Sequence, residues 1–357
     1  MTRTQTTQIK GVAIMLMMWH HLFGTGDTLV SKTNEWIGMP YDILFGISGK
    51  ICISIFLMCT AYGLYRAYIS SENTTGGQLR RILLFCINYW TVMFFVAIPY
   101  LICTGKFRIE YLPANLVALY HDDDILYISF SWYVKLHLLI LGYAIFVRYI
   151  ERKYSKSVYH IASMALVETI GIIGYVVCLK SGIPVLKIIG DSMILLCKYL
   201  PLFYIGMFMA KWEVLQLVWN KLKTVFQRFH CNSTAVSLMS CVFLILVLAI
   251  RGRFTYRNGQ LTDMIYTPLV ILFAYLFFEN IKIEGMVSKF FVFLGKYSFQ
   301  YWLLSGMFFL NTIELQWVLF WPKYSYLIFG WTFILLTPFA VICSKLASFI
   351  AQKLLRV

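Results

Sequence analysis

Lys10 and His21 stand eleven residues apart in the first apolar stretch of the chain, QIKGVAIMLMMWHHLF. At the angular step of an α-helix that separation closes three turns with about 20° of error, so the two side chains share a face, roughly 16 Å apart along the axis. An ammonium group at one end of such a face holds phosphate, and a neutral imidazole at the other accepts a proton from an attacking hydroxyl. The pair then forms the two ends of a transfer channel. A plainer arrangement has the same spacing: Lys10 snorkels to the membrane interface and His21 hydrogen-bonds another helix. His20 points about 80° away from the shared line and serves to pack or to orient its neighbour.

Ionisable side chains inside apolar helices cost a few kcal/mol and usually mark a cavity or pathway. Lys50, Lys135, His137 and Lys198 occupy such positions as well. Lys135 snorkels or pairs with an acid such as Asp122, Asp123 or Asp124. His137, two residues on, faces elsewhere and suits an interhelical hydrogen bond. The nine cysteines are scattered, mostly inside apolar runs, with no metal-ligand spacing, so they are expected to pack and no metal is expected. There is no Walker loop, zinc motif or dinucleotide fingerprint.

The elements that position these residues are membrane helices. Of the 357 residues 60% are apolar and 13% charged, and mean hydropathy is +0.73, which a soluble domain of this size could not bury in one core. The expected fold is all-α, a polytopic bundle of about ten spans forming one integral-membrane domain over residues 1–357. Apolar runs and breakers place the spans near 7–24, 42–65, 82–104, 130–148, 158–179, 190–210, 234–250, 262–280, 290–310 and 324–347. The first run lacks a small-residue cleavage site and is expected to be a retained helix.

With both termini in the cytoplasm, basic residues divide roughly two to one in favour of the inner face. Arg66, Arg80, Arg81, Arg148, Arg152, Lys153 and the Lys211–Arg228 stretch then lie inside. Arg251, Arg253 and Arg257 oppose this locally and are expected in a solvated outer loop, with contact to an anionic substrate or headgroup as the other option. The net charge of +15 then anchors the chain to anionic lipid and does not signal nucleic-acid binding. Residues 211–230, with Trp212, Leu215, Leu217, Val218, Leu222 and Phe226, are expected to form an interfacial amphipathic helix.

The order of these features resembles the membrane acyltransferase-3 family. Lys10 to His21 is similar to the family's opening helix, with lysine where arginine is usual. Ile55 to Leu64 (IFLMCTAYGL) resembles its aromatic-rich helix, with Thr60-Ala61-Tyr62 in place of Ser-Gly-aromatic. Leu79 to Trp90 carries the paired Arg80 and Arg81 before Tyr89 and Trp90, without the usual proline. Ser131 to Tyr143 resembles the Trp-aromatic-Leu helix but lacks the glutamate of many members. Leu200 to Trp212 and Leu294 to Phe309 resemble the later helices, the second with Ser305 where histidine is common. The likeness covers about 300 residues in register.

The resemblance implies an acyltransferase of the cell (inner) membrane that takes an acyl group, acetyl above all, from cytoplasmic acyl-CoA. The acceptor it implies is a hydroxyl of an extracytoplasmic glycan or lipid-linked sugar. Lys10, Arg80 and Arg81 would hold the CoA phosphates. His21 would act as general base, on the acceptor directly or through a covalent acyl relay. Trp132, Tyr133, Tyr297 and Tyr301 would line the acceptor cleft, although each taken singly is an ordinary packing aromatic. The chain runs to Val357 soon after its last predicted helix, which leaves the transfer to the membrane domain or to a separate partner. A secondary transporter also fits the buried cations, and the missing glutamate and Ser305 fit a non-catalytic relative that handles lipid-linked glycan.

Overall fold

The computed structural model describes residues 1–24, 42–70, 75–120, 126–254, 259–311 and 316–355. Its elements are helices throughout, as hydrocarbon solvation demands of a chain that must satisfy its own backbone polar groups. In order they are α1 (Arg3–Phe23), α2 (Asp42–Gly49), α3 (Cys52–Leu64), α4 (Thr75–Val92), α5 (Ile98–Cys103), α6 (Leu112–Val117), α7 (Trp132–Lys153) and α8 (Ser157–Lys180). There follow α9 (Pro184–Lys211), α10 (Val214–Arg228), α11 (Ser233–Phe254), α12 (Gly259–Glu279), α13 (Met286–Lys296), α14 (Ser298–Gly306), α15 (Gln316–Phe320) and α16 (Ser325–Leu355). Five-residue π-helical segments continue α3 at Tyr65–Ile69, α4 at Met93–Ala97 and α14 at Met307–Asn311.

Eight helical segments among the described residues are long and apolar enough to cross a bilayer, and each coincides with an expected span. The two remaining expectations, 7–24 and 290–310, have helices that differ for separate reasons. The first two turns of α1 are polar (RTQTTQIK). The later segment is split at Tyr297, which ends α13 and precedes α14.

Two compact units divide the chain. One comprises Met1–Gly63, Leu202–Phe299 and Glu314–Leu335; the other comprises Leu64–Pro201, Gln300–Ile313 and Leu336–Val357. In the first unit α1 packs against α2, α12 and α13, and α11 packs against α2 and α12. Ile14, Met17, Met18 and Leu22 of α1 are wholly buried. Because protein rather than lipid surrounds α1, its polar first turns are tolerated. Glycines make this possible: a Cβ on Gly295 would overlap the Thr7 carbonyl, and one on Gly49 would overlap the Leu16 carbonyl. Small residues at such contacts let helix backbones approach closely.

Gly295→Ala is therefore expected to push α13 off α1 and to destabilise the protein by about 1–3 kcal/mol. Gly63→Ala, whose Cβ meets open space, is expected to be neutral or slightly stabilising through helix propensity. Thermal unfolding of the two variants in the same detergent checks the difference.

In the second unit α7 packs against α4, α8 and the π-helical segment Tyr65–Ile69. Ile87 of α4 packs with Ala347 and Ala351 of α16. Ile161, Leu166, Ile170, Ile173 and Val177 of α8 are exposed, the face a lipid-contacting helix presents. The amphipathic helix expected after Lys211 is α10. Leu215 and Trp219 are buried on one side, while Lys221 and Arg228 are exposed on the other.

Candidate functional site

α1 starts where its sequence says it should. Thr2 and Gln5 form a reciprocal capping box, and the N-terminal amine of Met1 donates to the Tyr62 hydroxyl at 2.9 Å. From there the helix is unbroken to Phe23, so Lys10 and His21 do share a face. Ile14 and Met17 lie between them on that face, both wholly buried. Lys10 and His21 are each half-buried. Near the Lys10 end, the Gln5 amide donates to Glu279 and the Gln8 amide to the Ser288 hydroxyl, the latter at 2.8 Å.

At the other end the indole of Trp19 donates to the Asp42 carbonyl at 3.2 Å and its ring lies against Phe23 and Phe329. The Nδ1 atom of His20 sits 2.8 Å from the Gly46 carbonyl, and its ring centroid is 5.1 Å from that of His21. The sequence expects His20 to pack or to orient its neighbour, and the structure places its ring between the Gly46 carbonyl and the ring of His21.

Beside α2 lies a polar group that sequence reasoning misjudged. Arg251, expected in a solvated loop, is 1% exposed, and its Nε donates to Asp263 Oδ1 at 2.7 Å. Its Nη1 reaches the carbonyls of Ile47 and Ser48, both at 3.0 Å, and the Ser54 hydroxyl donates to the second Asp263 oxygen at 3.0 Å. Arg251 is therefore a buried, paired cation of the first unit and not part of a solvated loop. Arg253 is exposed, and Arg257 falls outside the described residues. The signal that could have exposed the pair was Asp263 itself, an acid just inside an apolar span, twelve residues after Arg251.

Arg80 and Arg81 belong to the second unit. Arg80 is exposed. Arg81 donates to the Ala67 carbonyl at 3.1 Å and lies 5.9 Å from the ring centre of Tyr68, a ring that also faces the buried Arg148 at 4.4 Å. Two guanidiniums thus meet at one aromatic ring. Neighbouring it, the wholly buried His160 contacts Glu151 at 2.6 Å, and the Tyr65 hydroxyl donates to the same carboxylate at 3.1 Å. Neither Arg148 nor the His160–Glu151 pair stood out in the sequence, because both belong to segments that read as ordinary positive-inside anchors.

Of the aromatic candidates, Tyr133 and Tyr301 are buried by their own unit. Tyr133 stacks on Trp302 at 4.5 Å, Trp302 donates to the Phe130 carbonyl at 3.2 Å, and the Tyr301 hydroxyl pairs with Thr337. Trp132 is half-buried, with Tyr199 stacked at 6.4 Å. Tyr297, in the first unit, ends α13 beneath the Lys296 ammonium. Lys135 is buried and donates to the Tyr120 carbonyl at 3.0 Å; the acids suggested for it, Asp122 to Asp124, fall outside the described residues. His137 stacks on Phe85 at 4.3 Å. Among the described residues no group of three or more His, Cys, Asp or Glu side chains is arranged to hold a metal ion.

A family model described as an acyltransferase domain, of the acyltransferase-3 type, matches residues 7–352. No curated protein and no solved structure matches the chain.

Proposed function

The chain belongs to the acyltransferase-3 family, and on that premise we propose that this multi-pass membrane protein moves an acyl group from acyl-CoA, acetyl-CoA above all, to a sugar hydroxyl across the inner membrane. The observation that carries the reading is the unbroken, protein-encased α1, with an ammonium and an imidazole on one face. Lys10 is the anchor for donor phosphate, on the cytoplasmic side. The extended pantetheine arm then has about 16 Å to cover between the levels of Lys10 and His21.

At the outer end His21 takes the proton of the acceptor hydroxyl as its oxygen attacks the thioester carbonyl. The new C–O bond forms as the C–S bond breaks, and the proton passes to the departing thiolate, leaving CoA and an ester. An aromatic face suits a sugar ring, so the half-buried Trp132 is assigned to the acceptor, with Tyr133 against it. The acceptor is an extracytoplasmic glycan or a lipid-linked sugar, and α10 rests on anionic lipid.

Membrane vesicles supplied with isotope-labelled acetyl-CoA test the proposal: labelled glycan ester supports it, and hydrolysis or unchanged donor overturns it. Lys10 has its own test. Lys10→Ala is expected to weaken CoA binding by about 1.5–3 kcal/mol, the worth of one hydrogen bond to a charged group. Lys10→Arg preserves the cation and is expected to bind normally. Equal CoA affinity in all three proteins, measured by calorimetry in nanodiscs, would remove Lys10 from the donor site.

A further inference from the structure

α2 ends at Gly49, so its last four carbonyls lose their helical partners. The amides of Lys50 and Ile51 fold back onto Ile47 and Ser48 at 3.3 and 3.2 Å, one residue short of helical register. Gly46 therefore keeps an acceptor that a continuing helix would have used, and His20 occupies it. A carbonyl only accepts, so Nδ1 of His20 bears the hydrogen and Nε2 of the neutral ring bears the lone pair. Because the two imidazoles adjoin, the tautomer and place of His20 define one wall of the surroundings of His21.

Arg251 fixes where α2 stops. It delivers a cation to the negative end of that helix through the Ile47 and Ser48 carbonyls, and Asp263 with Ser54 holds the guanidinium in place. α11 comes close enough for this because Gly252 faces Leu44 and Ser48 without a side chain, and the Ser48 hydroxyl bonds the Leu248 carbonyl at 2.6 Å. A buried ion pair rarely adds stability over apolar residues of the same volume. Its presence here fits a task other than packing.

We propose that the Arg251–Asp263 pair is a positioning device for the two histidines of α1, acting through the C-terminus of α2. The link to catalysis rests on the reading of His21 as the base. The pair touches no substrate; it sets the tautomer of His20 and, through it, the place of His21.

His20→Asn keeps a donor for the Gly46 carbonyl, whereas His20→Ala keeps none. The asparagine variant is expected to retain most of kcat, and the alanine variant to lose about tenfold or more at unchanged donor KM, the cost of a displaced catalytic group. Arg251→Met with Asp263→Leu keeps the core filled but removes the clamp, and it is expected to show the same kcat loss. Nitrogen-15 spectra of histidine-labelled protein in nanodiscs supply a readout free of activity: His20 is Nδ1-protonated in the wild type and loses that single state in the double variant. Equal activity of His20→Asn and His20→Ala, or an unchanged His20 signal in a folded double variant, would overturn the clamp. Full activity of His21→Ala would instead overturn the base assignment and leave the tautomer result standing.

Discussion

His21→Ala is expected to lower acyl transfer by about 10²–10⁴-fold, the usual contribution of a positioned general base. The helix around it should persist, because α1 is held by glycine contacts at Gly49 and Gly295 and by Ile14, Met17, Met18 and Leu22, none of which involves the imidazole. Donor binding should persist too, since Lys10 lies three turns away. The loss therefore falls on kcat with the KM for acyl-CoA little changed. In the wild type the rate should fall as the medium is acidified, with unit slope, because only the neutral ring accepts a proton. Steady-state transfer in proteoliposomes over a pH series measures both effects. Transfer by the alanine variant within a few-fold of wild type would remove His21 from the chemistry.

The second large effect concerns stability. Asp263→Ala leaves the Arg251 guanidinium, 1% exposed, inside the first unit with its carbonyl partners but without its counter-charge. Breaking a buried pair from one side costs about 3–5 kcal/mol. The expected result is a large drop in thermal midpoint in detergent, or loss of the protein from the membrane. The double replacement Arg251→Met and Asp263→Leu should recover most of that loss, because neither charge is then stranded. Non-additivity of this kind, read from Arg251→Met, Asp263→Leu and the double replacement, measures the coupling of the pair. If Asp263→Ala were as stable as wild type, the guanidinium would have to be reached by water, contrary to its burial.

The apolar runs of the chain located all eight segments that, among the described residues, are long and apolar enough to span, because a helix in lipid must be apolar around most of its circumference. It was less informative where protein replaces lipid as the surroundings. α1 is polar for two turns and yet packs among α2, α12 and α13, and the expected span 290–310 is divided at Tyr297. The break at Lys50 within the span expected near 42–65 was likewise invisible to hydropathy, since the residues on both sides of it are apolar. That break leaves the Gly46 carbonyl to His20.

Among the candidate site residues, Lys10 and His21 were legible because their relation is internal to one helix: spacing and the helical repeat fix a shared face regardless of neighbours. The paired arginines were legible only as cations. Which one turns inward depends on partners brought by other helices, and it is Arg81 that meets Tyr68 and the Ala67 carbonyl while Arg80 stays exposed.

The sequence by itself determined the class of solvent, the helical content, most of the spans and the register of Lys10 with His21. All of these follow from composition or from contacts within a few residues. Tertiary structure alone decided that Arg251 is a buried, neutralised cap on α2 and that His20 has a fixed donor role. It also decided that Tyr133 and Tyr301 are buried while Trp132 is only half-buried. The physical reason is one of range. A charge is recognised as structural or available only by what lies opposite it, and for Arg251 those carbonyls belong to Ile47 and Ser48, about two hundred residues earlier in the chain.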